Sequence, residues 1–256
     1  HQKQKIIMGA MITDPFSLKK ERCPMIQKQM YFIRGYYILL LLVLYLSFYE
    51  KSVFYLFFTN TILAYIPIEL AMWIKSSRSK LVSLVLILFW LLFFPNNFYL
   101  FTDLFHLSLL SPYDPSTMMI SMEIEIWYKL LLVVLSVFPT TFLGCESLWI
   151  VTDIIVKKIG IGVYQWLVVS IILFINAIGI YFGRFLRLNS TDVFTDSKET
   201  LMRLIEAFTR IDSPSFLLIV LIFLFSLIFV YIYKLGIKFA LLAEGEDLYE
   251  DTSSRR

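Results

Sequence analysis

Six apolar runs, at about residues 31–49, 53–74, 81–102, 127–156, 163–183 and 215–241, leave this chain little to fold into except membrane-crossing helices. A hydrocarbon core about 30 Å thick takes about 20 helical residues, and backbone in lipid has to satisfy its own hydrogen bonds. With 59% hydrophobic and only 17% charged residues among 256, no large soluble domain remains to carry separate chemistry. The expected fold class is all-α: a polytopic transmembrane helical bundle of six spans over 31–241. It is flanked by a polar N-terminal tail, 1–30, and an acidic tail, 242–256. The start at His1 leaves Met8, Met11, Met25 and Met30 as candidate initiators and part of the first tail as foreign sequence. Tyr31 to Tyr49 ends in Ser47-Phe48-Tyr49-Glu50-Lys51 with no small-x-small cleavage site, so it reads as an uncleaved first span.

Lysine and arginine set the orientation. Sixteen of the 23, counting Arg34 at the inner end of the first span, fall on the side of the N-terminus, and seven on the other. The positive-inside rule then puts both termini in the cytoplasm and the 95–106 region outward. Cys23 and Cys145, one in a polar tail and one inside an apolar run, indicate no disulfide framework.

The third run stops early. Leu81 to Phe94, apolar but for Ser83, spans about 21 Å at helical rise, short of the bilayer core. It then meets Pro95-Asn96-Asn97, so proline and two amides fall at membrane depth. Backbone leaving a helix there is tolerated where it is buried in protein or lines a wet cavity, which makes the junction the expected site. A half-helix starting near Asn97 would point free amide groups into that region and favour an anion.

Other features refine the bundle. Pro139 predicts a kink or tilt in the long fourth run. Gly179 and Gly183 form a GxxxG pair that permits close approach of a neighbouring helix, within the chain or in a homo-oligomer. Asp196 with Glu199 resembles a capping box, and Leu201, Leu204, Ile205, Phe208 and Ile211 repeat at helical spacing up to Pro214. That segment reads as an amphipathic helix on the outer surface or a connector packed on the bundle. The two halves show no internal repeat, which counts against inverted-repeat transporters.

Depth singles out the candidate residues. Asn60 and Asn176 both fall about 10 Å below the outer end of their runs, level with Asn96 and Asn97. Beyond the junction Asn96, Tyr99, Asp103 and His106 share one helical stripe about 80° wide. Arg184 and Arg187 share a face at the outer end of the fifth span, with Asn189 just beyond. Two readings compete for Tyr99, Asp103, His106, Arg184 and Arg187. One is an Asp103–arginine ion pair tying two helices together. The other is an outward-facing pocket for a phosphate or carboxylate group, in which Asp103 and His106 are the candidate acid and base. Asp103 and His106 also have Asp-x-x-His spacing, but the nearby extra ligands, Glu123 and Glu125, belong to a loop, and no metal site is expected.

Glu69 and Glu146 fall at matching depth near the cytoplasmic boundary. They either share a proton or a cation, or accept bonds from neighbouring hydroxyls. No phosphate-binding glycine loop, HExxH, GxSxG or CxxC pair occurs, and no basic array for nucleic acid. No cofactor is assigned.

Two motifs carry a resemblance. Pro95-Asn96-Asn97-Phe98-Tyr99-Leu100-Phe101-Thr102-Asp103-Leu104-Phe105-His106-Leu107 and Gly183-Arg184-Phe185-Leu186-Arg187-Leu188-Asn189-Ser190-Thr191-Asp192 resemble the family known as domain of unknown function 1361. Asn97 and Leu188 stand where that pattern more often has a small and an aromatic residue. The resemblance implies a bacterial plasma-membrane protein and assigns no reaction. Three functional readings follow from the residues. The first is a protein binding or moving a small anionic or lipid-linked ligand. The others are a transferase or hydrolase acting on an envelope lipid or glycan intermediate, and a scaffold or assembly subunit.

Overall fold

A computed structural model of the chain describes residues 15–49, 54–114, 116–160, 164–185, 197–209 and 211–254. Its helices are α1 (Pro15–Phe48), α2 (Tyr55–Ser76), α3 (Lys80–Phe93), α4 (Pro95–Asp103), α5 (Ile124–Ile159), α6 (Gln165–Phe185), α7 (Ser197–Thr209) and α8 (Ser213–Ser254). A 3-10 helix, Leu104–Leu110, extends α4. No strand forms among the described residues; a lone bridge joins Tyr113 to Ile120 in the loop before α5.

Six stretches are long and apolar enough to cross a bilayer: Lys28–Phe48, Tyr55–Ser76, Lys80–Leu110, Ile124–Ile159, Gln165–Phe185 and Ser213–Leu242. Each overlaps an expected run. Large apolar side chains on their outer faces, such as Leu217, Leu221 and Ile228 of α8, stay more than half exposed, as lipid-facing residues do. The chain is a multi-pass membrane protein.

Helix α2 is the axis of the bundle, packed along α1, α3, α4 and α5, while α8 lies against α6. One core cluster gathers Ala71, Ile74, Trp90, Phe94, Leu148 and Leu173; another joins Tyr37, Leu44, Phe57, Ala64, Leu100 and Val137. Buried hydroxyls stitch the helices between them. Tyr37 Oη donates to Thr140 Oγ1 at 2.8 Å, and Thr61 Oγ1 lies 2.5 Å from Ser136 Oγ. Pro139 sits inside α5, which runs on to Ile159 and ends at Gly160, in the left-handed region at φ +78°.

The third span divides at Phe94, and the division is one residue wide. Phe94 keeps helical angles, φ −56° and ψ −37°. Its N–H donates to Trp90 O at 2.8 Å, and Asn97 N–H donates to Phe94 O at 3.1 Å. Pro95, at the first position of α4, has no N–H to orphan. The free half-helix amides expected near Asn97 are therefore corrected to a nearly continuous ladder.

Contacts with α5 and α2 show where α4 goes. Trp90 bonds to Ser147, Asn97 packs on Gly144 and bonds to Ala64, and Asn60 bonds to Asp103. Residue numbers on the partners fall steadily as those on the third span rise. Helix α4 thus continues in the direction of α3 and does not fold back.

Two glycines let it lie so close. A Cβ on Gly144 would sit 2.7 Å from Asn97 Cγ, and one on Gly179 would sit 2.8 Å from Pro95 Cγ. The close approach that the GxxxG pair permits is therefore used inside the chain at Gly179. Helix α7 covers the expected amphipathic segment; Phe208 packs edge-on to Phe182, while Leu201 and Ile205 remain exposed. Asp196 of the expected capping box lies outside the described residues.

Candidate functional site

Asp103 ends α4 with 1% of its surface exposed, and its carboxylate is held from two other helices. Asn60 of α2 donates from Nδ2 to Oδ2 at 2.7 Å. Arg184, in the last turn of α6, brings Nη1 to 3.0 Å from Oδ1. An isolated carboxylate in such surroundings is strongly disfavoured, so the arginine is what makes it tolerable as an anion.

Tyr99 sits one turn earlier on the same face. Arg184 Nη1 donates to Tyr99 Oη at 3.3 Å, and the guanidinium lies over the ring, 4.8 Å from its centroid. Among the described residues only Nη1 of Arg184 is engaged, and its side chain is 22% exposed. The other edge of the guanidinium fork stays available to an acceptor.

His106 completes the stripe within the 3-10 helix. Its Nδ1 lies 2.9 Å from the backbone oxygen of Asp103 and 3.8 Å from Asp103 Oδ1. Because a carbonyl only accepts, Nδ1 carries the proton in that bond, and a neutral ring then leaves Nε2 as an acceptor. Phe57 meets the ring edge-on at 6.0 Å.

Beside this cluster lies an apolar crevice of about 420 Å³ between α4, α6 and α8, lined by Phe98, Thr102, Phe105, Ile180, Leu221 and Phe225 among others. Ile180 is one turn inward of Arg184 on α6, and Thr102 adjoins Asp103. The polar cluster therefore stands beside the crevice, on the neighbouring face of the third span.

The remaining candidates separate. Asn96 Nδ2 caps back onto Phe93 O at 2.9 Å. Asn97 is fully buried, donating to Ala64 O at 2.6 Å, and its Oδ1 has no partner among the described residues. Asn176 is 1% exposed, and neither of its amide atoms finds a partner there. The amides expected in one layer thus do not bond to one another. Arg187 and Asn189 lie outside the described residues.

Sequence reading missed one network. Arg34 forms an ion pair with Glu69, which also accepts from Tyr65 Oη at 2.9 Å. The signal was there: a cation and a carboxylate interrupting adjacent apolar runs near the same end. Glu146 accepts instead from Tyr233 Oη at 3.0 Å, so each glutamate takes its own hydroxyl, as the second reading of the pair expects. Glu125 pairs with Lys129, and no group of three or more metal-ligating side chains occurs among the described residues.

No curated protein and no solved structure matches the chain. The model of the family described as protein of unknown function (DUF1361) matches residues 59–230, which holds α4 with its stripe, Arg184 and the crevice. That match covers more than half of the chain, and the protein belongs to this family.

Proposed function

We propose that the protein binds an amphiphilic ligand, a hydrocarbon chain carrying an anionic head, with the head on Arg184 and the chain in the α4–α6–α8 crevice. One observation supports the reading: a guanidinium fixed by Asp103 and Tyr99 stands, partly exposed, one helical turn from Ile180, whose side chain lines an apolar crevice. Asp103 is then a positioning residue, buried too deeply to meet the ligand. Tyr99, His106 and, from beyond the described residues, Arg187 and Asn189 are proposed to frame the head. Asn96, Asn97 and Asn176 underlie it. The excess of basic residues on the side of the termini supports a plasma-membrane orientation with both termini cytoplasmic and this site outward.

Native mass spectrometry of the full chain in a mild detergent tests this, with a polyprenyl monophosphate and the matching polyprenol as probes. The phosphate is expected to bind about tenfold tighter or more, as a charge-assisted pair contributes. Arg184→Lys keeps a cation facing Asp103 but loses the fork, and is expected to erase most of that preference. Equal binding of phosphate and alcohol by the folded wild type overturns the proposal and favours the scaffold reading.

A second reading rests on His106, whose Nδ1 lies 2.9 Å from the backbone oxygen of Asp103, a contact that in a neutral ring puts the proton on Nδ1 and leaves Nε2 as an acceptor. That is the arrangement of a general base for a transferase or hydrolase acting on the bound head group. His106→Ala separates the two: binding retained with turnover of the phosphate probe lost supports an enzyme, and absence of turnover in the wild type removes it.

A further inference from the structure

The opposite end of the bundle carries a second place where polar and apolar surfaces adjoin. A cleft of about 540 Å³ opens between the inner ends of α2, α5, α6 and α8, with Lys75, Glu146, Asp153, Lys157, Gln165 and Lys234 on its walls. Lys157 is taken by Asp153 at 2.6 Å, and Glu146 is occupied by Tyr233. Lys75 and Lys234 have no carboxylate within ion-pair distance among the described residues. Lys234 rests over the Trp149 ring, 4.4 Å from its centroid. The cleft therefore presents two ammonium groups, from different helices, with no carboxylate at ion-pair distance among the described residues, while Glu146, bonded by a neutral hydroxyl, keeps its charge on the same wall.

Next to it runs a largely apolar groove of about 450 Å³ between α6 and α8, lined by Trp166, Tyr231, Leu235, Ile237, Lys238 and Leu241, with Lys234 common to both. Trp149 of the cleft and Trp166 of the groove touch edge to face, ring centroids 5.0 Å apart. Lys234 lies 21 residues into α8 from Ser213, about 32 Å at helical rise, which is where hydrocarbon gives way to head groups. Tryptophan and tyrosine collect at that level, and basic pockets between spans there bind anionic head groups.

We propose that this cleft and groove form a site for an anionic phospholipid of the leaflet on the side of the termini. The phosphate sits between Lys75 and Lys234, and one acyl chain lies along Trp166 and Leu235. The site is separate from the crevice at Arg184, at the other end of the spans.

Tryptophan quenching by brominated lipids in mixed micelles of the full chain tests it. Dibrominated phosphatidylglycerol is expected to quench at a severalfold lower mole fraction than dibrominated phosphatidylcholine, and Trp166→Phe, which removes the ring beside the acyl chain, is expected to remove much of the difference. Lys75→Gln with Lys234→Gln is expected to lower the preference about fivefold per lysine. Lys158→Gln, which removes a lysine of the same side outside the cleft, is expected to leave it unchanged. Equal quenching by both lipids overturns the proposal. So does an equal loss in Lys158→Gln, which assigns the effect to diffuse charge. Full competition by millimolar inorganic phosphate assigns the site to a soluble anion and overturns it as well.

Discussion

Asp103 Oδ1 lies 3.0 Å from Arg184 Nη1 while Oδ2 accepts from Asn60, so one carboxylate joins the second, third and fifth spans. Removing the arginine leaves a carboxylate that is 1% exposed without its counter-charge. Arg184→Gln is expected to destabilise the protein by about 3–5 kcal/mol. Asp103→Asn costs less, because Arg184 keeps solvent and Tyr99. The double variant is expected to recover part of the loss, read as a coupling in a double-mutant cycle of unfolding in mixed micelles. Simple additivity of the two changes removes the pair as a tether.

Gly144 and Gly179 face Asn97 and Pro95 with no room for a methyl group. Gly144→Ala and Gly179→Ala are each expected to cost about 1–3 kcal/mol by overpacking. Gly179→Ala is the more severe, since a proline ring cannot rotate aside. Gly35→Ala and Gly236→Ala, where nothing lies within 4 Å, are expected to be neutral or to gain the helix propensity of alanine. Thermal unfolding in one detergent orders the four.

Asn176 keeps both amide atoms buried and without partners among the described residues. If no water or ligand atom meets them, Asn176→Leu removes an unsatisfied polar group and is expected to raise stability by about 1 kcal/mol. A fall of that size instead would show that the amide serves a bound group.

Asp114 organises the loop before α5. Its Oδ1 accepts from Ser116 Oγ at 2.5 Å and from the backbone N–H of Ser116 at 2.7 Å and Thr117 at 3.3 Å. The Ser116 hydroxyl first, then these amides, hold the carboxyl below its ordinary range. A carboxyl depressed in the folded loop stabilises it fully above the unfolded value, about 3.9, and less as pH falls through the folded one. Amide protection of the loop, corrected for intrinsic exchange, is expected to stay flat from neutral pH to about 5 and to decline below about 4. In Asp114→Ala that decline is expected to vanish.

The spans were legible because hydropathy reports what a segment needs from its solvent, and the match at Tyr55–Ser76 and Gln165–Phe185 is within a few residues. Partners were not legible at the same level. Helical rise ranks residues by depth, which is why Asn60, Asn97 and Asn176 read as one layer. Rotation about each helix axis decides what a side chain meets, and it turns Asn60 to Asp103 and Asn97 to Ala64. That rotation is fixed by small-residue notches such as Gly144 opposite Asn97, which leave no periodic trace in the sequence. Depth pairing also matched Glu69 with Glu146 when the nearer complement was Arg34.

The Asp103–Arg184 pair also bears on the order of assembly. Arg184 is made 81 residues after Asp103, so the third span enters the membrane before its counter-charge exists. Asn60, already synthesised, is the partner on hand in the interval. A nascent chain that stops short of Arg184 is then expected to hold its third span loosely, and integration to become firm only once the fifth span has arrived.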